Sequence, residues 1–139
     1  MTFQRFLSID YGKKRIGLAV GDDRVKVATP ITTVQARGGV ADHVTAVLAV
    51  ASDYEVDVFV VGLPLNMDDT EGEQAKLTRR FGDALETASG KPVRFFDERL
   101  SSHAADELLA PAELTRKKRK SIQDAVAAQV ILQGFLDTQ

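Results

Sequence analysis

Three acidic positions place a carboxylate where the chain turns. Asp10 closes the run Phe6-Leu7-Ser8-Ile9 and is followed by Tyr11-Gly12. Asp97 and Glu98 follow directly on Val93 to Phe96, and Asp124 lies near the head of the last helical pattern. Oxygen donors in a chain with no cysteine suit a hard cation such as Mg2+ or Mn2+. Two such ions, about 3.5–4 Å apart, stabilise both the attacking and the leaving oxygens in phosphodiester cleavage. A strand carboxylate can bridge both ions while the others hold one each. Plainer uses exist for all three positions. Asp10 can be a turn former, and Asp97-Glu98-Arg99 a salt-bridged turn. Asp124 can pair with Lys117, Arg119 or Lys120 near the positive end of its helix.

The elements that must position these groups can be read from periodicity. Leu7, Ile9 and Tyr11 alternate with Phe6, Ser8 and Asp10, which predicts a first strand with Asp10 at its C-terminal end. After a tight connection over Gly12 to Arg15, Ile16 to Gly21 predict a second, central strand. Val25 to Val34 predict a third, which Pro30 makes an edge or irregular one. Val40, Val44, Val47, Leu48 and Ala51 recur at helical spacing. Val56 to Val61 form a buried strand that ends at Gly62-Leu63-Pro64. Thr70 and Glu73 have the spacing of a capping box. The helix they would head buries Leu77, Phe81, Ala84, Leu85 and Ala88 and stops at Gly90. Val93 to Phe96 predict another buried strand. Ser101 or Ser102 can cap a short helix carrying Ala104, Ala105, Leu108 and Leu109, ended by Pro111. A last helix covers roughly Lys118 to Leu136. Ala127, Ala128 and Ile131 share the face of Asp124 and suit close packing on a sheet. A three-strand meander followed by alternating helices and strands predicts an α/β fold, a mixed central sheet with helices on its faces.

Composition narrows the function classes. The chain has 139 residues, 44% hydrophobic and 27% charged, which fits one domain spanning 1–139. Without cysteine there is no disulfide framework, thiol nucleophile or thiolate zinc site. The N-terminus meets acidic Asp10 too early for a secretory signal, and no apolar run reaches the ~20 residues of a membrane span. A cytoplasmic protein with no membrane partner is expected. The net charge of −2 is low for a nucleic-acid binder. The cations are nevertheless clustered, at Lys13-Lys14-Arg15, Arg79-Arg80 and Arg116 to Lys120, and a local patch can act where the average is neutral.

Four segments together resemble the YqgF/RuvX family. Ser8-Ile9-Asp10-Tyr11-Gly12-Lys13-Lys14-Arg15-Ile16-Gly17-Leu18-Ala19 resembles its opening motif, and Gly62-Leu63-Pro64-Leu65-Asn66-Met67 its second. Asp97-Glu98-Arg99-Leu100-Ser101 resembles the third. Asp124 with Ala127-Ala128 and Ile131-Leu132-Gln133 resembles the last. The motifs span almost the whole chain in the family's order. The resemblance implies an RNase H-like fold and a metal-dependent nuclease with Asp10, Glu98 and Asp124 as its acidic triad. Family members are described as candidate pre-16S rRNA nucleases acting at the 5′ end, and also as Holliday-junction resolvases. The chain departs from the pattern at Asp69, where glycine is usual, and at Gln123, where an apolar residue is usual.

Substrate contacts are expected around these carboxylates. Lys13, Lys14 and Arg15 can neutralise phosphates beside Asp10, or be a solvated hairpin tip. Asn66 can hydrogen-bond substrate, and Lys120 belongs to a possible backbone clamp. Arg99 is a further candidate contact, although ordering the Asp97-Glu98 turn is its nearer task. His43 is expected on a helix surface, and His103 nearer the site; neither is assigned as a general base. With two tyrosines and no tryptophan, shape and backbone recognition fits better than base stacking. The nucleic-acid partner is pre-16S rRNA or branched DNA, and the protein a monomer or homodimer. Two other classes compete. Asp10-Tyr11-Gly12 with Gly17 also resembles the phosphate-binding opening of actin-like and sugar-kinase ATPases, which need a second domain that this length does not supply. A non-catalytic nucleic-acid-binding module is the other, and the acidic positions count against it.

Overall fold

The computed structural model describes residues 3–100 and 116–139, with side chains of the last helix described from Gln123 onward. The expected short helix headed by Ser101 or Ser102, together with His103 and Pro111, lies outside the described residues, as do the side chains of Lys117, Arg119 and Lys120.

Five strands form one mixed sheet. Strands β1 (Arg5–Tyr11), β2 (Arg15–Asp22) and β3 (Thr29–Gln35) make an antiparallel meander. On the other side of β1, strands β4 (Val58–Leu63) and β5 (Val93–Asp97) run parallel to it, giving the order β3-β2-β1-β4-β5. The parallel strands are reached through helices α1 (Val40–Ala51) and α2 (Glu73–Ser89), and helix α3 (Arg116–Asp137) closes the chain. β3 is the edge expected from Pro30. Its ladder with β2 shifts register between Leu18 and Ala19, where Pro30 is paired. Proline has no N–H to donate, so an edge with an irregularity is where it costs least.

The alternation of β1 sets up two cores. Leu7, Ile9 and Tyr11 join Ile16, Leu18, Phe59 and Val61 on one face, against Val44 and Val47 of α1 and Phe81 and Leu85 of α2. Phe6 joins Val58 and Val60 on the other, against Ile131, Leu132, Phe135 and Leu136 of α3. β4 is buried along its whole length, which explains its uninterrupted apolar run. Each fully buried aliphatic or aromatic side chain in these layers contributes about 1.5–3 kcal/mol.

Helix α3 is fixed to the sheet by polar contacts as well. Ser8 Oγ, buried on the α3 face of β1, donates to the Ala128 carbonyl at 2.6 Å. Gln129 and Gln133 hold the backbone of the β2–β3 connection, with Gln133 Oε1 accepting from the Ala28 N–H at 3.0 Å and Gln129 Nε2 donating to its carbonyl at 3.1 Å. Gln123 is exposed.

Three local expectations need correction. Thr70 does not cap α2. The helix begins after Gly72, and the Thr70 hydroxyl instead donates to Asp68 Oδ1 at 2.6 Å inside the preceding loop. The buried stripe of α2 includes Ala75 and Thr78 and leaves Ala88 exposed. His43 is buried, not on the surface, and its Nδ1 lies 2.6 Å from the Tyr11 hydroxyl. Gly90 does end α2, at a left-handed φ of 68°. Among the described residues, no helix is long and apolar enough to cross a membrane.

Candidate active site

Asp10 is the penultimate residue of β1, on the face that α3 covers. Its two lateral neighbours on that face are glycines. Gly17 is its antiparallel partner on β2, and a β-carbon there would collide with the Asp124 carbonyl of α3. Gly62, the penultimate residue of β4, follows the Ile9–Val61 pair, and a β-carbon there would stand 2.7 Å from Glu98 Oε1 and 2.5 Å from Ile131 Cδ1. The bare surfaces at Gly17 and Gly62 therefore let Asp124 approach from one side of Asp10 and Glu98 from the other.

Glu98 opens a one-turn 3-10 helix, Glu98–Leu100, directly after β5. Its carboxyl is hydrogen-bonded to that of Asp10. Burial raises the pKa of Asp10, and the charge of Asp124 raises it further against the opposing hydrogen bond from Glu98. Burial also raises Glu98, with the Asp10 charge next in weight, to about 8. Two acids that both resist ionisation and touch one another share a proton near neutral pH. Asp124, half-buried in α3, accepts a 2.6 Å bond on Oδ2 from Arg15 Nε. Among the described side chains its partner is thus Arg15 of β2; the lysine side chains of its own helix lie outside the described residues.

The structure brings the expected triad to one end of the sheet, but each carboxyl is engaged from within the chain. Among the described residues, no three acidic or imidazole groups are gathered as an ion cage. Asp10 and Glu98 meet each other, and Arg15 holds the Asp124 carboxylate.

The other expected site residues fall into two groups. Lys13 and Lys14 are exposed at the tip of the β1–β2 hairpin, which the Gly12 N–H closes onto the Arg15 carbonyl at 3.0 Å. Asn66, which is exposed, and Arg99, which is part-buried, are both engaged by other parts of the chain. Asn66 Nδ2 donates to Thr70 Oγ1 at 3.0 Å. Arg99 clasps Asp97 through Nε and Nη2, the latter at 2.7 Å from Oδ2. It also donates from Nη1 to the Asn66 carbonyl at 2.9 Å and pairs with Asp69 at 2.8 Å. These bonds hold the Asp97 side chain below the usual carboxylate range, chiefly through Arg99. Asp69, the departure from the family pattern, has φ 70°, a conformation that glycine adopts without strain, and its carboxylate meets Arg99. The side chain of Lys120 lies outside the described residues.

Gln74 was not singled out by its sequence context. Its Nε2 donates to the Tyr11 carbonyl at 2.9 Å, beside Asp10, and its buried Oε1 has no hydrogen-bond partner among the described residues. No spacing marks it; only the return of α2 to the end of β1 places it there. The glycines at 17 and 62 had a signal, since both fall within the recognised motifs.

Comparison with known proteins gives the family and the fold. Residues 4–138 match the family described as RuvX: Holliday junction resolvase. A protein of Anaeromyxobacter dehalogenans, named as a candidate pre-16S rRNA nuclease, is 50% identical over 133 residues, covering 96% of both chains. One of Neisseria gonorrhoeae with the same name is 45% identical over 132 residues, covering 94% of this chain and 86% of its own. Among solved structures, Thermus thermophilus RuvC in complex with a Holliday junction substrate superposes with a TM-score of 0.62 at 16% identity, covering 97% of this chain and 96% of that one. That likeness gives the fold, the RNase H-like architecture expected from the sequence. The identity to the named relatives and the full-length family match give the rest: the chain belongs to the RuvX (YqgF) family of nucleases.

Proposed function

We propose that residues 1–139 act as one cytoplasmic nuclease domain that cuts phosphodiester bonds at the 5′ end of pre-16S rRNA with the help of Mg2+ or Mn2+. The observation that carries this reading is the meeting of Asp10 and Glu98 at one hydrogen bond, with Asp124 near enough for its charge to act on Asp10. The names of the relatives supply the rRNA.

The donor set fits a hard divalent cation. It is all carboxylate, and the buried histidine, His43, lies in the core on the opposite face of the sheet. Two of the carboxyls are dehydrated and close together, so that a proton must reconcile them wherever a cation does not. Asp10, Glu98 and Asp124 would hold the cation, which when bound supplies charge to the phosphate and an activated water. The chain's own side chains do the rest. Lys13 and Lys14 attract the backbone phosphates that flank the scissile bond, and Arg15 lies between them and Asp124. Gly17 and Gly62 leave the space beside Asp10 to Asp124 and Glu98.

Cleavage of branched DNA is the second reading, favoured by the description of the matching family. Purified wild type and Asp10→Asn, incubated with Mg2+ or Mn2+ on a pre-16S rRNA fragment and on a four-way DNA junction, separate the two. Metal-dependent cutting of the rRNA by wild type alone is expected. Cutting confined to the junction reverses the substrate order. Failure to cut either, with intact binding, makes the protein a non-catalytic nucleic-acid module.

A further inference from the structure

Arg15 stands between two negative partners. One is present: Asp124 Oδ2, 2.6 Å from Nε. The other is implied by position, because Arg15 follows directly on Lys13 and Lys14, the exposed cations beside Asp10. Its side chain is 31% exposed and that of Asp124 is 23% exposed, so this ion pair is not sealed into the core. An exchange of partners needs no unfolding. A guanidinium also matches a phosphate at least as well as a carboxylate.

The charge arithmetic makes the exchange consequential. With Arg15 on Asp124, that carboxylate is neutralised by the protein and is a poor ligand for a cation. With Arg15 on a phosphate, Asp124 presents an uncompensated charge beside Asp10 and Glu98. We propose that Arg15 is a transferable counter-charge, held by Asp124 in the free protein and passed to the nucleic-acid backbone on binding, so that substrate and divalent cation promote each other's binding. The inference rests on the metal-nuclease reading above and adds an order to it: the site takes its cation best after the backbone has docked. Linkage requires the effect to be reciprocal, with the cation tightening the nucleic acid by the same factor.

Mn2+ binding by the full chain, followed by the electron paramagnetic resonance of free Mn2+, tests this without relying on turnover. The probe is a 20-mer RNA with a phosphorothioate backbone, which keeps its charge and resists cutting. Wild type is expected to bind Mn2+ about three- to tenfold tighter with the 20-mer than without it. Arg15→Gln is expected to bind Mn2+ tighter than wild type by a similar factor in the absence of RNA, and to gain nothing from its addition. Arg15→Lys, which retains the charge, keeps the coupling at reduced size and serves if the glutamine variant does not fold. Equal or weaker Mn2+ binding by Arg15→Gln, or a coupling that survives in it, overturns the inference and leaves the nuclease reading standing. Mn2+ binding that is absent from wild type and Arg15→Gln with or without RNA, or is unaffected by Asp10→Asn, overturns the nuclease reading and the inference together.

Discussion

Gly17 of β2 lies directly under the backbone of Asp124 in α3, so closely that no side chain fits between them. The same glycine is the strand partner of Asp10. One missing β-carbon thus sets the distance between two of the three site carboxylates. Gly17→Ala is expected to push α3 away from the sheet at Asp124 and Ala125. Overpacking of this kind costs about 1–3 kcal/mol. Cleavage should fall further than stability, because the displaced group is Asp124 itself. Denaturant titration and cleavage rate measured on the same preparation check this; a stable variant with wild-type cleavage would show that the approach of α3 is not what positions Asp124.

The proton shared by Asp10 and Glu98 predicts a pH dependence with a definite sign. The Glu98 carboxyl rises from its ordinary 4.5 to about 8 on folding, through burial first and the Asp10 charge second. An acid with a raised folded-state pKa holds its proton more tightly folded than unfolded, so it stabilises the fold at low pH. That contribution is complete below pH 4.5 and is lost as pH rises through about 8. Protein kept in a chelator should therefore lose stability between pH 5 and about 8.5, and Glu98→Gln should flatten that slope. Adding Mg2+ should restore wild-type stability at the alkaline end. Denaturation midpoints of both proteins across this range decide the matter, and identical slopes would remove Glu98 from the titration.

Much of this geometry was legible in the residues. The period-two alternation of β1 placed Asp10 opposite the Leu7-Ile9-Tyr11 face, and the unbroken apolar run of β4 announced a strand buried on both sides. Strand ends brought Asp10 and Glu98 together because β1, β4 and β5 are parallel, which the alternating order implied. What stayed hidden was long-range or contradicted local polarity. Arg15 and Asp124 meet across 109 positions, and no periodicity reports that. His43 stands three residues after Val40 and four before Val47, on the buried stripe of α1. Its polar character pointed outward, but the Tyr11 hydroxyl supplies the partner that makes burial tolerable. The start of α2 was set by Gly72 and by docking beside Tyr11, beyond what the Thr70-Glu73 spacing could tell.

Arg99 ties the turn carrying Glu98 to the loop after β4, through Asp97, Asp69 and the Asn66 carbonyl. We propose that it positions Glu98, and its planar fork reaches all three partners at once. Arg99→Lys should lower kcat by about tenfold at unchanged substrate affinity, since one ammonium cannot replace the fork. A loss confined to substrate affinity would mean that Arg99 contacts the nucleic acid directly. Asp69→Gly should be mild, because it relieves φ 70° at an 82% exposed side chain while giving up one ion pair.

Tyr11 and His43 give a prediction for the core behind the site. The Tyr11 ring stacks on Phe81 with centroids 4.2 Å apart, and its hydroxyl meets His43 Nδ1 at 2.6 Å. His43 Nε2 is buried with no hydrogen-bond partner among the described residues. Tyr11→Phe leaves the imidazole with neither nitrogen paired, at a cost of about 1–3 kcal/mol. His43→Leu strands the tyrosine hydroxyl and should cost a similar amount. The double variant removes both polar groups from an apolar layer and should be nearer to wild type than the sum of the two single losses. Such a coupling, read from a double-mutant cycle in denaturant, assigns the pair a structural role. Additive losses would mean that the two groups do not depend on each other, and that the contact between them carries little of the stability of the β1–α1 packing.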